Sequence, residues 1–121
     1  MLTPAQAAWL IWSCARLEVL PPPKLWRQLL RLIVSSGSSC STSALTAVLW
    51  GLARLAEVVG TRALGCRRHV RGLVVVAVAR LQHVSGAKAW RLRRVLRYVG
   101  TGWRRGSVEH SWGEGGWMET L

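Results

Sequence analysis

The stretch Ala7–Leu17, AAWLIWSCARL, returns at Leu45–Leu55 as LTAVLWGLARL. Trp12 aligns with Trp50, Ala15 with Ala53, Arg16 with Arg54 and Leu17 with Leu55, a constant offset of 38 residues. Self-similarity at a period of this size predicts stacked helical hairpins, each burying its apolar face against the next. Both copies are apolar on nearly every side, so each predicts a helix held between neighbours.

The flanking residues give these helices their ends. Thr3-Pro4-Ala5-Gln6 places a capping hydroxyl, a proline at the first helical position and a glutamine able to close a capping box. Pro21-Pro22-Pro23 stops the first helix near Leu17 and turns the chain, because proline cannot continue a helix interior. A second helix is expected from about Pro23 to Val34. Its apolar face holds Leu25, Leu29, Leu32 and Ile33; Lys24, Arg27, Gln28 and Arg31 lie opposite. After the Ser/Gly loop Ser35–Ser41, a third helix runs to about Val58, with Ser41–Ser43 as candidate caps and Gly60 as its close.

The next segment, TRALGCRRHVRG, predicts a short basic helix or an irregular stretch ending near Gly72. GLVVVAVARL, Gly72–Leu81, ends in the same Ala-Arg-Leu as the two dry helices and reads as a third copy. Its Val run alone would also suit a buried strand. Lys24, Trp26 and Arg27 then align with Lys88, Trp90 and Arg91 at an offset of 64, with Ser85-Gly86 in place of the prolines. The last helix is expected over about Ala87–Val99. Ala89, Leu92, Val95, Leu96 and Val99 form one stripe; Trp90, Arg91, Arg93, Arg94, Arg97 and Tyr98 fill the other side. Residues 101–121, rich in Gly and carrying Trp103, Trp112 and Trp117, predict a flexible tail whose tryptophans either insert into a partner or have no role. The expected fold is therefore all-α: a short α-solenoid of about two to three antiparallel helical hairpins over residues 1–100, then the tail.

Charge points to the partner. The chain carries +12, with five Lys/Arg against two Glu in residues 1–60 and twelve against three in residues 61–121. From Arg62 to Arg105 there are twelve cations and no acid. Such a field attracts phosphate backbones or anionic surfaces. Its competing explanation is a solvated face whose Arg stems shield the core. Cations interleaved with aromatic platforms favour RNA, so the candidate RNA-binding residues are Arg67, Arg68, Arg71, Lys88, Trp90, Arg91, Arg93, Arg94, Arg97 and Tyr98.

Other chemistries find little footing. Asp is absent, the five Glu are scattered, and His69, His83 and His110 sit in unrelated contexts, so no catalytic constellation is expected. Cys14, Cys40 and Cys66 are odd in number and form no C-x-x-C, which argues against a disulfide framework. Cys66 and His69 lack the second pair a zinc site needs. No cofactor is expected. The N-terminus lacks the basic region of a signal peptide and is too poor in Arg for a transit peptide. No transmembrane segment is expected either, because the longest uncharged window, Leu32–Ala53, has a polar middle.

The W-x-x-A-R-L endings at Trp12–Leu17 and Trp50–Leu55, with the turn Pro21-Pro22-Pro23-Lys24-Leu25-Trp26, resemble the octotricopeptide repeat family. Related arrays occur in FAST-kinase-like and heptatricopeptide proteins. The likeness covers residues 5–58 and, loosely, 72–98. Lys24 replaces the acid of the family's Pro-Pro-Pro-Glu-Trp turn and Leu25 is inserted. The resemblance implies an α-solenoid that binds single-stranded RNA in a mitochondrion or chloroplast and acts in transcript stability, processing or translation. Two alternatives stand beside it: a structural, rRNA-contacting subunit of an organellar ribosome or other large complex, and a fragment of a longer repeat protein. The dry outer side of the first helix calls for protein partners that cap it.

Overall fold

A computed structural model describes residues 2–60, 64–65 and 67–106, with the side chains of Ser38 and of residues 102–106 left aside. Among the described residues there are five α-helices, one short 3-10 turn and no strand. They are α1 (Pro4–Leu17), α2 (Pro23–Ser35), α3 (Thr42–Val59), α4 (Arg67–Arg80) and α5 (Gly86–Gly106), with the 3-10 turn at Gly37–Ser39.

The punctuation acts as its chemistry requires. The Thr3 hydroxyl accepts from the Gln6 N–H at 3.2 Å and the Gln6 side chain accepts from the Thr3 N–H at 2.9 Å, a complete capping box. Glu18 ends α1 in the left-handed conformation, φ 58°, while the Glu18 and Val19 N–H groups donate back to the carbonyls of Ala15 and Cys14. This is the paired-bond helix stop usually made with glycine. Pro23 opens α2, the Ser41 hydroxyl accepts from the Ala44 N–H to start α3, and Gly60 closes α3.

Two layers result. In the first, α3 lies between α1 and α5 and packs along most of its length against both. Ile11 meets Gly51, Trp12 meets Trp50 and Glu18 pairs with Arg54, so α1 and α3 run parallel. Lys88 and Arg91 lie beside the first turns of α3 while Tyr98 engages Arg54 and Glu57 near its end, so α5 is parallel to α3 as well. In the second layer α2 packs against α4. The core is continuous through both layers, from Ile11, Leu29 and Ile33 through Leu45, Leu49, Leu52 and Leu55 to Leu73, Leu92 and Leu96, all buried. Helical hairpins packed this way are consistent with a short solenoid.

Three expectations are revised. The basic stretch after residue 66 and the Val run form a single helix, α4, which passes through Gly72; no atom lies near enough there to penalise or require a side chain. α4 does not occupy the position of a third dry helix. Its buried side chains, Val70, Leu73, Val74 and Ala77, make one stripe, as befits a second-layer helix, and the third place in the first layer belongs to α5. α5 also continues past Val99 to Gly106, with the Thr101 hydroxyl donating to the Arg97 carbonyl. Residues 107–121, with Trp112 and Trp117, lie outside the described residues, as do Arg62 and Cys66.

Thr42–Val59 is long and apolar enough to cross a membrane by length and composition. Here it is the central packed helix, with ten of its residues buried.

Candidate nucleic-acid interface

Because α1, α3 and α5 run side by side and parallel, residues at matched heights gather on one face. There they enclose an open groove of about 450 Å³. α1 contributes Trp9, Trp12 and Arg16. α3 contributes Thr42, Ser43, Thr46, Ala47 and Trp50. α5 contributes Lys88, Arg91 and Val95. Three cations and three indoles thus line a space bounded by no acidic side chain.

The aromatic side is a continuous cluster. Trp9 stands edge-on to Trp12 at 5.6 Å between centroids, and Trp12 tilts against Trp50 at 6.2 Å. The Arg16 guanidinium lies 5.0 Å from the centre of the Trp12 ring. That arrangement holds the cation by the ring's negative face and leaves its N–H fork for an anion. The floor carries hydroxyls. Thr46 donates to the Thr42 carbonyl at 2.8 Å, and the Thr42 hydroxyl accepts from Arg80 at 3.4 Å, which turns the end of α4 toward the groove.

The ten residues singled out from the sequence do not share one surface. Lys88 and Arg91 line the groove. Trp90 is 60 % exposed beside it with the Arg94 guanidinium 5.1 Å from its ring centre. Arg93 and Arg97 are exposed on the same helix. Tyr98 is only partly exposed and packs against the core. Burial, reinforced by a hydrogen bond to Glu57 and partly offset by Arg54, pushes its hydroxyl up to about 12, so its polar end is engaged within the fold. Arg67, Arg68 and Arg71 occupy the first turns of α4. Arg80, at the other end of that helix, is the end that reaches Thr42. Thirteen helical steps of ~1.5 Å put Arg67 roughly 20 Å away, at the opposite end of the molecule from the groove.

The sequence reading missed Trp9, Trp12, Arg16 and Trp50, which it assigned to dry core helices. One signal did point to them: residues that align in a repeat become neighbours when the repeats stack, so the Trp12–Trp50 match was itself a contact.

Among the described residues no group of three His, Cys, Asp or Glu is placed to hold an ion. Burial raises the thiols of Cys14 and Cys40 above their ordinary value; Arg80 pulls Cys40 back in part. Neither is set up as a nucleophile.

No family model, no curated protein and no solved structure matches this chain.

Proposed function

We propose that this protein is a helical-repeat RNA-binding module whose primary contact surface is the groove between α1, α3 and α5. The observation that carries the reading is the juxtaposition of Arg16, Lys88 and Arg91 with Trp9, Trp12 and Trp50, without an acid among them. Phosphates suit the three cations, and unpaired bases suit the indole faces, which stack on any base. Double-stranded nucleic acid offers its bases no such access, so a single strand is the expected ligand. The likeness of Trp12–Leu17, Trp50–Leu55 and the proline turn to octotricopeptide repeats supports the same reading. It extends that reading to transcript stability, processing or translation in a mitochondrion or chloroplast. On this reading the protein binds RNA and carries out no reaction on it.

The test is a titration of labelled single-stranded RNA at several salt concentrations. Each phosphate contact to a single strand contributes about −0.7 to the slope of log K against log salt. Replacing Arg16, Lys88 and Arg91 together by Ala is expected to flatten that slope by about 2 and to weaken binding. An unchanged slope in the triple variant would remove the groove from the binding surface.

A second reading rests on Arg67, Arg68 and Arg71, whose exposed cations lie at the other end of the molecule. Two separate basic surfaces suit a subunit embedded in a large ribonucleoprotein and touching RNA on two sides without sequence choice. Co-sedimentation of the protein with a ribosomal subunit would favour that role; sequence-selective binding to short RNA would favour the first.

A further inference from the structure

We propose that a single strand seated in the groove leaves it along α5, on the cations Lys88, Arg91, Arg94 and Arg97, and lays a base on Trp90. The path rests on the RNA-binding reading of the groove and extends the site from one nucleotide to a strand of several.

The row follows from the spacing. The four cations recur at every third residue and all are exposed. Residues three apart on a helix are neighbours, about 5–6 Å between Cβ atoms, close to the separation of successive phosphates in an extended strand. At ~3.6 residues per turn, each step turns the row by roughly 60° while it climbs ~4.5 Å. Lys88 and Arg91 line the groove. Arg97 therefore lies about half a turn round the helix from Lys88 and roughly 14 Å along it, on the side away from α3.

The outer half of this row does not shield the core. Arginine stems cover apolar surface only where it lies beside them. The fully buried side chains of α5, Leu92, Leu96 and Val99, are on the far flank from Arg94 and Arg97. Like charges at neighbouring helix positions also repel. The acids among the described residues do not relieve that repulsion: Glu18 pairs with Arg54, and Glu57 is engaged by Tyr98, on the side from which the row turns away.

Trp90 stands one turn below Arg94 and points between Arg94 and Arg97. Its ring is 60 % exposed, and the Arg94 guanidinium lies 5.1 Å from the ring centre. A guanidinium stacked on an indole keeps its N–H fork for a phosphate. The exposed ring is then a platform for the base beside that phosphate.

The winding selects the ligand. Lys88 and Arg97 face nearly opposite directions, so neither a membrane plane nor the rod of a duplex touches the whole row. A flexible strand with a charge at every residue can follow it. The groove, about 450 Å³, takes on the order of one nucleotide. A strand that fills groove and row together is on the order of five nucleotides long.

The experiment titrates the full chain with unstructured RNA oligonucleotides of two to ten residues at several salt concentrations, the dinucleotide being followed by NMR. Affinity is expected to climb steeply up to about five nucleotides and to level off beyond. Arg94→Ala with Arg97→Ala is expected to level off at a shorter length, with circular dichroism unchanged. It flattens the salt slope for the decamer by about 1.4 and leaves dinucleotide binding as it was. Trp90→Ala is expected to weaken decamer binding by roughly 5-fold to 100-fold, with the salt slope and dinucleotide binding unchanged. Lys24→Ala with Arg27→Ala removes the same charge from α2 and is expected to keep the parent's length dependence. Trp50→Ala, in the groove, weakens every length. An Arg94, Arg97 variant with the parent's length dependence, while Trp50→Ala still weakens every length, would overturn the path and leave the groove standing. Losses from the row with none from Trp50→Ala would overturn the groove reading and the path with it. Polyglutamate or anionic phospholipid vesicles that displace the decamer as well as unlabelled RNA does, at equal charge concentration, would also overturn the proposal.

Discussion

Ile11 of α1 sits directly on Gly51 of α3. A side-chain carbon built at Gly51 would lie 3.0 Å from Ile11 Cγ2 and 3.2 Å from the Ile11 carbonyl oxygen. The two parallel helices touch through backbone here, beside the ring contact of Trp12 with Trp50. Two effects compete on substitution. Gly51→Ala gains about 1 kcal/mol of helix propensity, but overpacking a filled core costs about 1–3 kcal/mol. The oxygen belongs to the helix backbone and Ile11 is fully buried, so the neighbour cannot give way. Overpacking is expected to win: Gly51→Ala lowers stability slightly and Gly51→Val lowers it by more, measured as a shift of the urea midpoint. A Gly51→Ala variant more stable than the parent would show that the helices can part.

The two layers are tied by another pair. The Trp26 indole N–H donates to the Leu64 carbonyl at 3.0 Å, in a buried setting and between residues 38 apart. It anchors α2 to the chain entering α4. Trp26→Phe keeps much of the ring but leaves that carbonyl without its donor, at a cost of about 1–3 kcal/mol. Trp26→Ala adds a cavity and is expected to cost about 3–5 kcal/mol. Urea unfolding monitored by circular dichroism checks both, and equal midpoints for Phe and Trp would mean that the hydrogen bond contributes nothing.

These two pairs show what the sequence could and could not disclose. Thr3, Gln6, Pro23, Ser41 and Gly60 mark helix ends by local chemistry, so most boundaries were legible. The placement of the helices was less so. α4 shares the Ala-Arg-Leu ending of the dry helices, and α5 shares the Lys-x-Trp-Arg opening of α2, which suggested the reverse of their actual layers. A helix's pattern follows its neighbours only in part. α3 has a partner on each side within its layer and buries ten of its residues. Among the described residues α5 has α3 on one side only and keeps a one-sided pattern, whereas α1, with the same single neighbour in the layer, exposes apolar side chains on its outer face. The groove was hidden for the same reason: Trp12 and Trp50 look like core residues until the matched heights of two parallel helices bring them to one edge.

Tyr98 is the single tyrosine of the chain, so its ionisation can be followed without overlap from other phenols. Burial first, then the hydrogen bond to Glu57, raise it to about 12. An unfolded tyrosine ionises near about 10. Between those values the unfolded chain has released its proton while the folded chain still holds it. Stability from this group is therefore complete below about pH 10 and is lost as pH rises through about 12. Phenolate absorbance is expected to show a midpoint near 12 in the folded protein. Tyr98→Phe is expected to remove the part of the alkaline decline in stability that the lysines and cysteines do not cause. A phenol titrating near its ordinary value in the folded state would break the Tyr98–Glu57 assignment.

The separation of the two basic surfaces makes the final prediction discriminating. Arg16, Lys88 and Arg91 line the groove with the indoles; Arg67, Arg68 and Arg71 lie at the far end of α4. Replacing either set removes three positive charges, so any loss due to net charge alone must be equal for both. If the groove is the binding surface, alanine in the first set weakens single-stranded RNA binding far more than alanine in the second. Stacking adds a term that charge cannot mimic, because a base on an aromatic ring contributes about 1–3 kcal/mol. Trp50→Ala is then expected to weaken binding by roughly 5-fold to 100-fold with the salt slope unchanged. Trp50→Leu, which fills the space without a π face, is expected to bind as poorly as the alanine variant. Trp50→Phe is expected to recover most of the affinity. Comparable losses from both arginine sets, with Trp50→Leu binding normally, would assign the affinity to the overall charge of the chain and not to the groove.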